Sequence, residues 1–242
     1  MARFLIDTDA GPVPAVMEGD GDVGILLATG AGTGQDHPGV AGLRNRLAAG
    51  GHRVMTFEYA YRAAGRPFPD RQPRLLAVHR AAAQCLRDEV GDRLVLAGRS
   101  MGGRMSTLLA AEGEPCAAVV AYGYPLHPAG KPDRLRVEHL PRVAVPTLYM
   151  SGDHDALAHP DLIRRYLAPL PTATVTWIRG ADHSFRRRGT RPDEMLDELA
   201  GLTLAWLRTV LGLERPGLAD AGPGRDNRQA PPFRKESLPW NK

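Results

Sequence analysis

The chain has 242 residues, 43% hydrophobic and 24% charged, with a formal charge of +4 at neutral pH. That length suits one large α/β domain able to build its core without staples, and the composition excludes collagen-like, coiled-coil and wholly disordered classes. The positive balance does not read as a nucleic-acid surface, because 28 of the 31 cationic residues are arginines and no basic run is interleaved with aromatics. Arginine in place of lysine, with abundant Ala, Gly and Pro, reads instead as GC-rich bacterial coding. No apolar run nears the roughly 20 residues of a membrane span. Asp7 and Asp9 interrupt any export leader. Cys85 and Cys116 read as buried, reduced thiols. The expected setting is the cytoplasm, without membrane or nucleic acid as partner, and oligomeric state is left open.

In chain order, Phe4–Asp7 and Val13–Met17 read as weak strands divided by Gly11-Pro12. Val23–Ala28 is a continuous apolar run, the mark of a strand covered on both faces. Val40–Ala49 reads as a helix ended by Gly50-Gly51. Arg53–Phe57 is a strand, Arg74–Glu89 a helix with its apolar positions at helical spacing, Arg93–Ala97 a third buried strand and Met101–Ala111 a helix. Ala117–Tyr122, Thr147–Met150 and Thr174–Ile178 complete the strands, and Leu162–Leu167 and Glu194–Leu211 the helices. Strand and helix alternating at this spacing predict βαβ units in a mostly parallel sheet with helices on both faces. Periodicity stops at Gly212, and Pro and Gly crowd the remaining C-terminal residues. Residues 1–211 are therefore expected to form the domain and 212–242 a disordered tail.

The strongest chemical signal is Gly98-Arg99-Ser100-Met101-Gly102, between the strand Arg93–Ala97 and a helix. The pattern arises by chance in a glycine-rich chain, but the strand-turn-helix context is that of a nucleophile elbow. Such a turn forces the serine toward positive φ, requires flanks almost free of side chain, and aims backbone amides at the reacting oxygen. A serine nucleophile needs a base, and the base an orienting acid, here in the chain order Ser, acid, His. Ser151-Gly152-Asp153-His154-Asp155 lies after one strand and Gly180-Ala181-Asp182-His183-Ser184-Phe185 after the next, both at carboxyl ends of strands. His183 is the candidate base. Asp153, Asp155 and Asp182 are the candidate acids. Asp182 is disfavoured because, in an extended loop, its side chain points away from that of its neighbour.

With these motifs, the sequence resembles the α/β-hydrolase fold, in its dienelactone-hydrolase-like branch. It is similar to a small bacterial family of predicted hydrolases related to the hydrolase-like domain of a subunit of the non-specific-lethal chromatin complex. The matching stretches are Gly30 to Pro38, Gly98 to Arg104, Gly123-Tyr124-Pro125-Leu126-His127-Pro128 with Gly130-Lys131-Pro132, Gly152-x-x-Asp155, and Gly180 to Phe185. The resemblance implies an eight-stranded sheet and a triad of Ser100, Asp155 and His183, with the Gly-x-x-Asp pattern selecting Asp155. The oxyanion hole is expected from the Met101 and Ala31 amides, since the second donor comes from the loop after the third strand. Thr29 departs from the pattern, standing where related hydrolases carry His, and is expected to alter loop packing only.

His37, Arg99 and His127 are the expected substrate-lining residues; for the two histidines, loop-fixing hydrogen bonds are the competing role. Gly30-x-Gly32-x-x-Gln35 with Glu58 resembles a dinucleotide fingerprint, but Gln35 replaces its third glycine. Gly98 to Met105 has P-loop spacing without the lysine or the hydroxyl for magnesium. His154, His159, Asp153 and Asp161 fit no common metal spacing, and Arg186-Arg187-Arg188 reads as a solvated run, the alternative being that it joins Arg99 and Arg104 in a rim that attracts an anionic substrate. No cofactor or metal is expected. The interval Gly123–Pro146 is too short and proline-rich for a helical cap. The expected activity is therefore a serine hydrolase acting on a small-molecule acyl substrate, and the rival class is a non-catalytic module keeping the same fold.

Overall fold

The computed structural model describes residues 1–213, so the tail expected beyond Gly212 lies almost wholly outside the described residues. Eight strands form one sheet: β1 (Ala2–Ile6), β2 (Val13–Glu18), β3 (Gly24–Ala28), β4 (Arg53–Phe57), β5 (Leu94–Arg99), β6 (Ala118–Tyr122), β7 (Thr147–Gly152) and β8 (Ala173–Ile178). Their order is β1-β2-β4-β3-β5-β6-β7-β8. The ribbon of β1 and β2 is antiparallel and β2 joins β4 antiparallel; every other pair is parallel. The sheet is thus mixed and mostly parallel.

The helices are α1 (Pro38–Ala49), α2 (Ala60–Ala63), α3 (Gln72–Val90), α4 (Met101–Ala111), α5 (Pro160–Tyr166) and α6 (Pro192–Leu211). Side chains alternate across a strand, and β3 shows what this does to its apolar run. Ile25 and Leu27 pack with Val40, Leu43 and Leu47 of α1 and Leu199 and Leu207 of α6. Leu26 and Ala28 face the other way, onto Leu76 and Leu86 of α3 and Met105 and Leu109 of α4. Being apolar at every position is what lets this strand be covered on both faces.

Three helices start two residues earlier than the apolar periodicity predicts, because each opens on a proline, Pro38, Pro160 or Pro192, whose fixed φ suits the first helical position. The short α2 has too few residues to show a period, and the sequence reading misses it. Cys85 and Cys116 are free and half-buried rather than fully buried, and burial pushes their thiols up to about 11 and about 12. No helix among the described residues is long and apolar enough to cross a membrane.

The topology places the site. From β3 the chain moves outward to β4, then returns past β3 to β5. That reversal opens a crevice at the carboxyl ends of β3 and β5, where ligands of open α/β sheets bind. The two strands run in register to Ala28 and Gly98, so the loops at their carboxyl ends emerge side by side.

Candidate active site

Ser100 stands at the turn from β5 into α4 with φ 48° and ψ −110°. It and Phe185 are the only non-glycine residues at positive φ among the described residues. A strained φ of this kind costs on the order of 1–3 kcal/mol and persists only where its surroundings hold it. Here the Ser100 N–H donates to the Tyr122 carbonyl at 2.8 Å. The flanking glycines are obligatory for contact reasons. A Cβ on Gly98 would lie 2.4 Å from the Gly102 carbonyl carbon, and one on Gly102 would lie 2.6 Å from the Ala28 carbonyl oxygen.

The loops after β7 and β8 bring the remaining groups to this serine. His183 Nε2 lies 2.9 Å from Ser100 Oγ. Its Nδ1 lies 2.8 and 3.0 Å from the two carboxylate oxygens of Asp155. The Asp155 carboxylate is fully buried, and its Oδ1 also accepts the Leu157 N–H at 2.7 Å. Bonds on opposite ring nitrogens fix the imidazole's plane and tautomer together.

The rival carboxylates are used elsewhere. Asp153 Oδ1 accepts the Gly180 N–H at 2.6 Å, and the His154 N–H donates to the Ala181 carbonyl at 3.1 Å, stitching the two loops together. Gly152 makes the approach possible, for a Cβ there would meet the Ala181 carbonyl oxygen at 2.0 Å. Asp182 turns its Oδ1 onto the Ser184 and Arg186 amides.

Opposite the histidine lies the loop after β3. Gly30 lies beside the serine: a Cβ on it would stand 3.8 Å from Ser100 Cβ. No protein acceptor takes the Ala31 or Met101 N–H among the described residues. This loop is anchored by two residues just beyond β4. The Tyr61 hydroxyl donates to the Ala31 carbonyl at 2.7 Å, and Glu58 Oε1 accepts the Gln35 N–H at 2.7 Å. Burial raises the Glu58 carboxyl above its usual range, against the Gln35 bond. Sequence reasoning weighs Glu58 only as a dinucleotide acid and overlooks Tyr61; no local pattern marks either. Thr29 is fully buried, and its hydroxyl has no hydrogen-bond partner among the described residues.

The three expected lining residues have structural contacts. His37 caps α1 through Nδ1, which accepts the Gly39 N–H at 3.1 Å. His127 is buried, with Nδ1 2.9 Å from the Pro128 carbonyl. Arg99 lies against the His183 loop: its Nη2 donates to the Ser184 carbonyl at 3.3 Å and its guanidinium sits 5.9 Å from the Phe185 ring centroid. Burial lowers its pKa, opposed by Asp182. In the arginine run, Arg186 pairs with Asp182 and Arg187 with Glu198, while Arg188 is exposed. Among the described residues, no group of three or more His, Cys, Asp or Glu side chains is placed to hold a metal ion.

A family model described as alpha/beta hydrolase domain matches residues 21–208. The chain belongs to that family. Solved structures carry the same fold. The serine hydrolase XC6422 from Xanthomonas campestris, described as lacking a lid, is 20% identical with a TM-score of 0.69, covering 86% of this chain and 94% of its own. The dienelactone hydrolase from Anabaena variabilis is 22% identical with a TM-score of 0.68, covering 86% and 96%. Est1E from Butyrivibrio proteoclasticus is 14% identical with a TM-score of 0.68, covering 88% and 100%. At these identities the likeness shows the fold.

Proposed function

We propose that the protein is a serine hydrolase cleaving a small ester-like acyl bond, a carboxylic ester or thioester, through an acyl-enzyme on Ser100. The observation that carries this reading is the unbroken chain from Ser100 Oγ through His183 to the buried Asp155, seated on a strained elbow. His183 Nε2 takes the hydroxyl proton as Oγ attacks the acyl carbon, and Asp155 holds the Nδ1–H tautomer and stabilises the imidazolium. The oxyanion is received by the Ala31 and Met101 amides, a pair of donors of the kind worth about 10²–10³ each. The proton then passes to the leaving group, and water, deprotonated by His183, releases the acid and regenerates Ser100.

The lack of a helical cap over residues 123–146 supports a small acyl group. Between Gly123 and Pro146 the one helical element is the three-residue 3-10 turn Leu140–Arg142, which leaves little apolar surface to bury a long chain. Each unburied CH₂ forfeits about 0.8 kcal/mol, so acyl chains of about two to six carbons are the preferred substrates. On its motifs we place the chain in the dienelactone-hydrolase-like branch, beside bacterial relatives of the chromatin-complex domain. The similarity to structures described as a dienelactone hydrolase and a serine hydrolase fits that placement.

Labelling with a fluorophosphonate probe tests the activity. Wild-type protein should label and hydrolyse p-nitrophenyl acetate or butyrate, and Ser100→Ala should do neither. A folded wild-type protein that stays unlabelled and inert would overturn the enzyme reading in favour of an interaction module. Rates still rising beyond about ten acyl carbons would overturn the size preference.

A further inference from the structure

The loop that replaces a cap is not merely short. Residues of Pro128–Glu138 and the first turn of α4 line an open cavity of about 820 Å³. Its charged lining is uneven: Arg104, Lys131, Arg134 and Arg136 against Asp133 and Glu138. Elsewhere in the chain arginines meet carboxylates closely, as Arg46 meets Asp193 and Asp197, and Arg80 and Arg87 meet Glu114. None of the four cavity cations is in an ion pair among the described residues.

Two of the four are held in place. Arg136 is clamped through its backbone, its N–H donating to the Leu126 carbonyl at 2.8 Å and its carbonyl accepting the Tyr124 hydroxyl at 2.6 Å. Arg104 is steadied by one bond, Nη2 to Gln72 Oε1 at 2.6 Å, while its Nε is buried with no partner. Both residues line the same cavity; burial lowers both guanidinium pKa values, and the charge of Arg104 lowers that of Arg136 further. The nearby His139 is held neutral, its pKa pushed down to about 4 by burial and by Arg104 and Arg142, and so adds no charge at neutral pH. Like charges on two half-buried guanidinium groups are unfavourable unless an anion joins them.

We propose that this cavity is an anion subsite, in which Arg104 and Arg136 grip a carboxylate or phosphate carried by the substrate of Ser100. The register along α4 supports it: the Arg104 N–H bonds the Ser100 carbonyl at 3.0 Å, so the two residues stand one helical turn apart, about 6 Å along the axis. A planar guanidinium fork matches the paired oxygens of either anion. The subsite rests on the hydrolase reading only for the identity of the bound compound, which is then an ester with an acidic group on one side of the scissile bond.

The test separates the two readings. In Ser100→Ala protein, where no turnover is needed, binding of glutarate and inorganic phosphate is measured by calorimetry, with and without Arg136→Gln. Saturable binding that weakens about ten- to a hundredfold in Arg136→Gln, the loss expected for a charge-assisted pair, supports the subsite. Turnover locates the anion. p-Nitrophenyl glutarate against the butyrate places it in the acyl part, and 3-carboxyphenyl acetate against phenyl acetate places it in the leaving group. The anionic-to-neutral ratio of kcat/KM should fall about ten- to a hundredfold in Arg136→Gln for one pair, with Arg136→Lys recovering part of it. Anion binding that depends on Arg136 in a protein hydrolysing no ester would keep the subsite and remove the hydrolase reading. Hydrolysis with no anion preference, and no binding that Arg136→Gln weakens, would overturn the subsite and leave the hydrolase reading standing.

Discussion

Asp155→Asn is the substitution whose consequence the geometry determines most closely. The Asp155 carboxylate faces two donors: Oδ1 accepts the Leu157 N–H at 2.7 Å, and Oδ2 is the oxygen nearer His183 Nδ1, at 2.8 Å against 3.0 Å for Oδ1. An asparagine of the same shape has one oxygen to share between them. If the oxygen stays on Leu157, the new NH₂ points at Nδ1. The imidazole is then favoured to accept there, at the nearer position, and to carry its proton on Nε2, where it cannot take one from Ser100. If the amide is reversed, NH₂ confronts the Leu157 N–H, and that orphaned donor costs about 1–3 kcal/mol. The unproductive tautomer is therefore favoured by roughly 10–10², and the charge that stabilises the imidazolium is lost as well. Together these should lower kcat by about 10³–10⁴. The fold should survive, because the variant keeps the shape and removes a buried charge. Stopped-time assays on a short-chain p-nitrophenyl ester, read beside a thermal melt, measure both. An Asn variant within about tenfold of wild type would refute the assignment, as would collapse of activity in Asp153→Asn with Asp155→Asn unaffected.

Tyr61→Phe deletes the hydroxyl that holds the Ala31 carbonyl; kcat should fall about tenfold with KM nearly constant, since one hydrogen bond positioning the oxyanion loop is worth ~1 kcal/mol or somewhat more. Gly98→Ala places a Cβ 2.4 Å from the Gly102 carbonyl carbon; the backbone must shift, and the melting temperature should drop by several degrees, on the order of 1–3 kcal/mol for an overpacked site. Acid should destabilise the protein through His79, which is buried against the Tyr59 hydroxyl and whose pKa is lowered by burial from 6.5 to about 3. A depressed folded pKa means the stability is fully present above 6.5 and is lost as pH falls toward about 3, because the unfolded chain takes up the proton first. Between pH 6.5 and about 5 the loss is about 2 kcal/mol, and the slope of melting temperature against pH should flatten in His79→Gln. His139 shifts in the same direction and should leave a residual slope; an unchanged slope would refute the role of His79.

Some features were legible in the chain because their causes are local. Apolar runs at Val23–Ala28 and Arg93–Ala97 announce strands covered on both faces, whatever lies beyond them. The elbow is legible for the same reason: Gly98 and Gly102 flank Ser100 within a single turn, and the steric need for both glycines is met inside five residues. The order of Ser100, the acidic loop and His183 is likewise one-dimensional information.

What the chain left open was settled by approach between distant segments. Asp153 and Asp155 stand two residues apart with the same chemistry. Only when Gly152 lets the loop close on Ala181 does Asp153 meet the Gly180 N–H while Asp155 meets His183. The antiparallel ribbon of β1 and β2 has no marker beyond Gly11, since strand direction is a property of the partner. Tyr61 and Glu58 anchor a loop some two dozen or more residues earlier, and Arg104 and Arg136 share a cavity across 32 residues of chain. Hydrogen bonds and close charges act over a few ångströms of space, and distance along the sequence carries almost no record of which residues folding will bring within that range.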